Sequence, residues 1–309
     1  MRMEMNLTAA WICVLGGGLV TGGFLAGSLK KQGRLQGKYA WTLLLPLLAG
    51  LLFARGGFEL TQFQEDYSGF SWTFRWCYTT GLMGMIIGTE AAAALAGADR
   101  WKTLDGCAAG FCLSMAAARL AQRWLGETGI GPILDETAPY AMVNDWEEPV
   151  LAAWMVEMLL CLAAAAITAA AGRRKTKTAG GTFCLAVLLM MIPSILIEQF
   201  RSGSYLRFMM MRLEQAFFAL GALDARWLLC RKIRRKEGSR KAYLPVCLFV
   251  GMAGAIAVIQ FVLDGKLMPC PEWLGWTLYA CTVAGMLWVS VRTVRKADFA
   301  DAGKEQAKA

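Results

Sequence analysis

The chain contains no histidine. That removes the side chain most used as a general base near neutral pH, and a frequent ligand of catalytic metals. The ten cysteines do not make up for it, because no pair among them has zinc-site spacing. Most of them (Cys13, Cys107, Cys112, Cys161, Cys184, Cys247, Cys281) fall inside apolar segments, where a thiol behaves as a small hydrophobe. Metal catalysis and a bound cofactor are therefore not expected. A phosphate-binding glycine loop is missing too, since runs such as GGGLVTGGFLAG and GLMGMIIG lack a strand–loop–helix context. Their small residues suit close helix packing instead. No clear inverted repeat and no matched pair of broken helices marks the chain as a transporter.

Apolar residues are abundant. Of 309 residues 57% are hydrophobic and only 18% charged, and the mean hydropathy is +0.43. The chain reads as an all-α, polytopic bundle of transmembrane helices. Stretches long enough to cross a bilayer run at about 9–28, 40–60, 78–97, 104–122, 150–171, 181–200, 209–229, 244–263 and 274–291. The seventh is the weakest, because Arg212, Glu214, Asp224 and Arg226 interrupt it. The first has no basic leader beyond Arg2 and carries its strong charges after the apolar run, so it reads as a retained helix.

Loop charge sets an expected orientation. Lys30, Lys31, Arg34 and Lys38 follow the first span, and Arg100 and Lys102 the third. Arg173, Arg174, Lys175 and Lys177 follow the fifth, a run from Arg231 to Lys236 the seventh, and Arg292, Arg295 and Lys296 the ninth. The intervening loops carry Glu59, Glu65, Asp66, Asp135, Glu136, Asp145, Glu147 and Glu148. With nine spans all basic clusters share one side, which puts the N-terminus outside and the C-terminus in the cytoplasm. The net charge of +9 then meets anionic lipid headgroups and calls for no nucleic acid. The tail from Lys296 is polar and reads as disordered.

The residue that stands out is Arg119, inside GFCLSMAAARLAQRWLGETGIG. A guanidinium at membrane depth costs about 2.5–3.5 kcal/mol on insertion scales. No acidic residue lies one turn away on its own helix, so its counter-charge comes from another helix or from a ligand such as a lipid phosphate. Other intramembrane charges fall toward the same outer end: Arg55 and Glu59, Glu157, Glu198 and Arg201, then Arg207, Arg212 and Glu214. Arg55 and Glu59 are four residues apart and can pair with each other. Arg123, Arg201 and Arg207 can also reach water along their stems. Glu90 lies toward the other side, where a neutral carboxyl or an ion pair suits it.

Several of these pieces resemble prolipoprotein diacylglyceryl transferases over roughly residues 14–220. YTTGLMGMIIG, then Asp105, then AARLAQRWLGE follow the family's order, with Gly81, Leu82, Gly84, Asp105, Arg119, Gly126 and Glu127 on matching positions. FARGGFEL places Arg55 on a family arginine, and ILIEQFR with MRLEQAFFAL places Glu198, Arg201 and Gln215. The departures are Thr79 at the family's histidine, Gln122 at its asparagine, Ser194 at an arginine and Gly16 at a tyrosine. The resemblance implies a core over 1–230, a basic cytoplasmic loop over 231–243, two additional helices within 244–292 and a tail over 293–309. It implies transfer of diacylglyceryl from phosphatidylglycerol to the lipobox cysteine of a prolipoprotein signal peptide, in the bacterial cytoplasmic membrane. Arg119 and Glu198 are the implied catalytic residues, with Glu127 an alternative base. Arg55, Tyr78, Thr79, Gln122, Glu127, Arg201 and Gln215 are the implied substrate contacts. A paralogue that binds phospholipid or lipoprotein precursors without transferring, and an unrelated transporter or channel, are the competing readings.

Overall fold

The computed structural model describes residues 6–61, 77–124, 130–134, 141–143, 148–173, 178–201, 207–208, 211–263 and 271–306. Among them are nine α-helices: α1 (Leu7–Lys31), α2 (Leu45–Thr61), α3 (Tyr78–Leu95), α4 (Arg100–Ala121), α5 (Ala153–Gly172), α6 (Gly181–Ile197), α7 (Leu213–Glu237), α8 (Leu244–Leu263) and α9 (Glu272–Gln306). Seven helical stretches are long and apolar enough to cross a membrane. Helices α3 and α7 are not among them, because Glu90 with several threonines and glycines dilutes one and charges dilute the other. Large apolar side chains point outward on many helices, including Leu52, Leu159, Leu220 and Trp273. Such surfaces suit lipid rather than water. The chain is thus a multi-pass, helical membrane protein by composition and fold.

Five short strands supplement the helices and leave the all-α bundle as the fold class. Strands β1 (Ile130–Ile133), β2 (Ala141–Val143) and β3 (Pro149–Ala152) form an antiparallel sheet in the order β1-β3-β2. The fifth helix therefore starts at Ala153 and not near 150, because Val150 and Leu151 pair with β2 while alternate residues of β3 are buried. Strands β4 (Arg207–Phe208) and β5 (Met211–Arg212) form a second, antiparallel pair. It delays the seventh helix to Leu213. The tail is corrected as well: α9 continues through Lys296 to Gln306. Asp298 gives a reason, since its Oδ1 accepts from the Thr178 backbone N–H at 3.0 Å while the Ala297 carbonyl accepts from Thr178 Oγ1 at 2.8 Å.

The chain divides into two compact units, residues 1–169 with 199–206, and residues 170–198 with 207–309. The 230/231 boundary implied by the resemblance falls within the second of them. In the first unit, α1 packs on α4 and α2 on α3. Asn6 caps α1 by accepting from the Ala9 N–H at 3.0 Å, and Asp99 caps α4 by accepting from the Lys102 N–H at 2.8 Å. Gln32, at the end of α1, ties these two ends together. Its Oε1 accepts from the Asp99 N–H at 2.9 Å and its Nε2 donates to Thr103 Oγ1 at 3.0 Å. On α3, Gly84 and Gly88 lie against the Ala49 and Leu45 carbonyls of α2, closer than any Cβ permits.

In the second unit, α6 is apolar all round and buried along most of its length, and it packs against α7 and α9. The buried face of α9 carries Tyr279, Val283, Met286, Ser290, Val294 and Ala297, a spacing of three to four residues. Arg226 of α7 is fully buried. It donates to the Pro245 and Met286 carbonyls at 3.0 Å each and to Ser290 Oγ, and its guanidinium lies 4.5 Å from the Phe249 ring centroid. The charge that weakened α7 as a span in the sequence thus joins α7 to α8 and α9.

Candidate functional site

Arg119 lies in the last turn of α4, and its side chain is 1% exposed. Its Nε is 3.1 Å from Oε2 of Glu157, in the second turn of α5. The same carboxylate oxygen accepts from Nη2 of Arg201, which follows the short 3-10 turn Glu198–Phe200. Arg201 Nη2 also donates to Oε1 of Gln122, at 2.9 Å. Tyr78, the first residue of α3, has its ring centroid 4.7 Å from the Arg119 guanidinium carbon. Two arginines and one glutamate of the described residues therefore share a buried site in the first unit.

Apolar side chains of the sheet cluster with residues next in the chain to this group. Met142, Val150, Ala152 and Trp154 form an apolar cluster that Leu120, Met155 and Met158 join. Leu120 and Met158 are the chain neighbours of Arg119 and Glu157. Water exclusion strengthens each electrostatic interaction inside and raises the cost of any hydrogen-bonding group left unmatched. Such a group exists. Arg119 Nη1 and Nη2 are both buried and have no hydrogen-bond partner among the described residues. The Nε edge is taken by Glu157, and the Nη edge retains the fork geometry that binds carboxylate or phosphate through two parallel bonds.

A small apolar groove lies between α1, α2, α3 and α4. Val14, Leu47, Gly50, Leu82 and Met85 are part of its lining, and Tyr78 belongs to it as well. The tyrosine therefore borders both the cationic group and the groove, an arrangement suited to a charged head with an apolar chain.

The implied residues are not all at this group. Arg119, Gln122, Arg201 and Tyr78 converge there. Thr79 is buried beside Tyr78, with no hydrogen-bond partner for its hydroxyl among the described residues. Arg55 pairs with Glu59 on its own helix and lies 5.6 Å from the Phe58 ring centroid. Glu198 is fully buried at the start of its 3-10 turn, and Gln215 Nε2 donates to the Ile195 carbonyl at 3.0 Å, both in the second unit. Glu127 and Gly126 lie outside the described residues. Glu90 is ion-paired with Arg100 at 2.6 Å. The sequence reading noted Glu157 as an intramembrane charge but did not place it at the site. Its signal was an acid alone on an apolar helix, which in a membrane needs a cation.

No protein-family model matches the chain, and the search of curated proteins found no match.

Proposed function

We propose that this protein binds an anionic phospholipid through the first unit and transfers its diacylglyceryl group to a cysteine thiol. Phosphatidylglycerol is the lipid donor, and the lipobox cysteine of a prolipoprotein signal peptide is the acceptor. The observation that carries this reading is the buried Nη edge of Arg119, which has no hydrogen-bond partner among the described residues. A phosphodiester supplies paired acceptor oxygens for that edge, on a group of charge opposite to the guanidinium. The groove bordered by Tyr78 suits an acyl chain.

In the reaction the thiolate sulfur attacks the terminal glyceryl carbon of the lipid. A carbon–sulfur bond forms as the carbon–oxygen bond to phosphate breaks, and glycerol phosphate leaves. Arg119 matches the charge that grows on the departing phosphate, and Arg201 reinforces it. The thiol proton passes to a base. With no histidine in the chain, this reading keeps the buried carboxyl Glu198 in that role. Glu157 Oε2 is already shared by two guanidiniums.

The same reading places the chain in the bacterial cytoplasmic membrane, with its N-terminus outside, its C-terminus in the cytoplasm and nine crossings. The alternation of basic and acidic loops supports it. A second reading, a lipid-binding relative that does not transfer, is favoured by Thr79 at the family's histidine position.

The test is purified protein in phosphatidylglycerol micelles with a synthetic lipobox peptide. Transfer adds the diacylglyceryl mass to the peptide and releases glycerol phosphate, and Arg119→Ala abolishes both. Phosphatidylglycerol binding without a peptide adduct selects the second reading.

A further inference from the structure

The end of α6 is intrinsically weak. Pro193 lies inside the helix and has no N–H, so one intrahelical bond is missing just before the last turn. The carbonyls of a last helical turn also depend on partners from outside the helix. Glu198 follows directly, its backbone N–H turned back to the Ser194 and Leu196 carbonyls.

External support reaches this turn at the Ile195 carbonyl. The Ile195 carbonyl accepts from Gln215 Nε2 at 3.0 Å and from the Tyr279 hydroxyl at 3.1 Å. The Tyr279 oxygen in turn accepts from Gln260 Nε2 at 3.1 Å. All three side chains are buried, Tyr279 completely. The relay runs from α8 through α9 to α6, and α7 adds the second donor. Gln260 is the polar residue on the buried face of α8, beside Phe249 and Ile256. An amide there is costly unless its donors are used. Here one hydrogen bond fixes the hydroxyl of Tyr279, whose own proton is aimed at the weak turn, and linked hydrogen bonds of this kind strengthen one another.

We infer that Tyr279 and Gln260 are positioning residues for Glu198, and that holding its turn is what the two C-terminal helices contribute to the reaction. This rests on the reading of Glu198 as the proton acceptor. The two residues touch no substrate in this scheme. They act through the Ile195 carbonyl, fixing the backbone from which the carboxyl projects. A small misplacement of a reacting group is enough to slow a reaction strongly.

The experiment uses the full chain in phosphatidylglycerol micelles, with Tyr279→Phe, Gln260→Leu and, as a control on the outer face of α9, Thr277→Val. Two readouts are taken beside the thermal midpoint. One is kcat and KM for phosphatidylglycerol in the lipobox assay. The other, independent of turnover, is the rate at which dicyclohexylcarbodiimide modifies Glu198 at fixed pH, read by peptide mass spectrometry with Glu198→Gln as blank. Tyr279→Phe and Gln260→Leu are expected to lower kcat by about tenfold with KM within about twofold, and to change the Glu198 modification rate severalfold. Thr277→Val changes neither. Modification of Glu198 at the wild-type rate in both variants overturns the inference, including where the thermal midpoint falls. If the wild type makes no adduct, the transferase reading fails on its own. The modification rates still decide whether Tyr279 and Gln260 position Glu198.

Discussion

Glu157 is the residue on which the buried group depends, because one of its carboxylate oxygens pairs with both Arg119 and Arg201. Each buried ion loses several kcal/mol of hydration, so such a group adds little net stability, whereas deleting one member leaves uncompensated charge. Glu157→Gln removes the anion that both buried guanidiniums share. It is expected to destabilise the protein by about 3–5 kcal/mol, seen as a fall in the thermal midpoint in detergent, and bound phosphatidylglycerol should recover part of the loss by supplying the missing charge. Arg119→Lys has a different signature. It keeps the charge and loses the fork, so folding is retained while phosphatidylglycerol affinity falls by about tenfold or more, as expected for lost hydrogen bonds to a charged group. Equal lipid affinity in Arg119→Lys and wild type would show that the Nη edge does not hold the headgroup. At this scale Arg119 was legible in the sequence, since an arginine in an apolar helix needs a partner. Its pairing with Glu157 was not, because 38 positions separate the two and only the packing of α4 and α5 brings them together.

Helices α2 and α3 approach closely because their contact is built from small residues. Glycine is required at Gly88, since a Cβ there overlaps the Leu45 carbonyl and lies 2.9 Å from Pro46 Cα. Gly88→Val is expected to cost about 1–3 kcal/mol by overpacking, read as a lower unfolding midpoint. Gly23→Ala on α1 is the contrast: no atom lies within 4 Å of the added Cβ, and alanine favours a helix over glycine by about 1 kcal/mol, so the midpoint holds or rises. The elements themselves were largely legible. Each of the nine apolar stretches contains a helix, because a run of apolar residues that must satisfy its backbone in lipid has little choice. The errors gather where that rule stops. Near 150 and 211 the apolar stretches begin with residues that pair as strands, and hydropathy does not distinguish a short strand from the first turn of a helix. Beyond Lys296 polarity suggested disorder, but the segment is rich in good helix formers and Asp298 is tied to Thr178.

For the whole molecule, the distribution of arginine and lysine makes the most exposed claim. Seven stretches satisfy length and apolarity, and α3 and α7 do not. Nine crossings put every basic cluster on one side. If α3 alone failed to cross, the later clusters would fall opposite the one after α1. A fluorescent protein fused after Gln306 reports the difference, because it matures in the cytoplasm and stays dark when exported through the general secretory route. Fusions after Lys31, Trp101, Arg173 and Lys236 are expected to fluoresce, and fusions after Thr61, Val143 and Leu263 to stay dark. The same pattern then decides which end of the bundle holds the Arg119 group. Arg119 is at the end of α4 that precedes the β1–β3 sheet, so a dark fusion after Val143 puts the group toward the outer leaflet. That is the side a signal-peptide cysteine reaches after crossing. Fluorescence after Val143 would bring Arg119 to the cytoplasmic face, where the thiol acceptor of the proposed reaction is not presented, and would count against the transferase whatever the lipid affinity of Arg119.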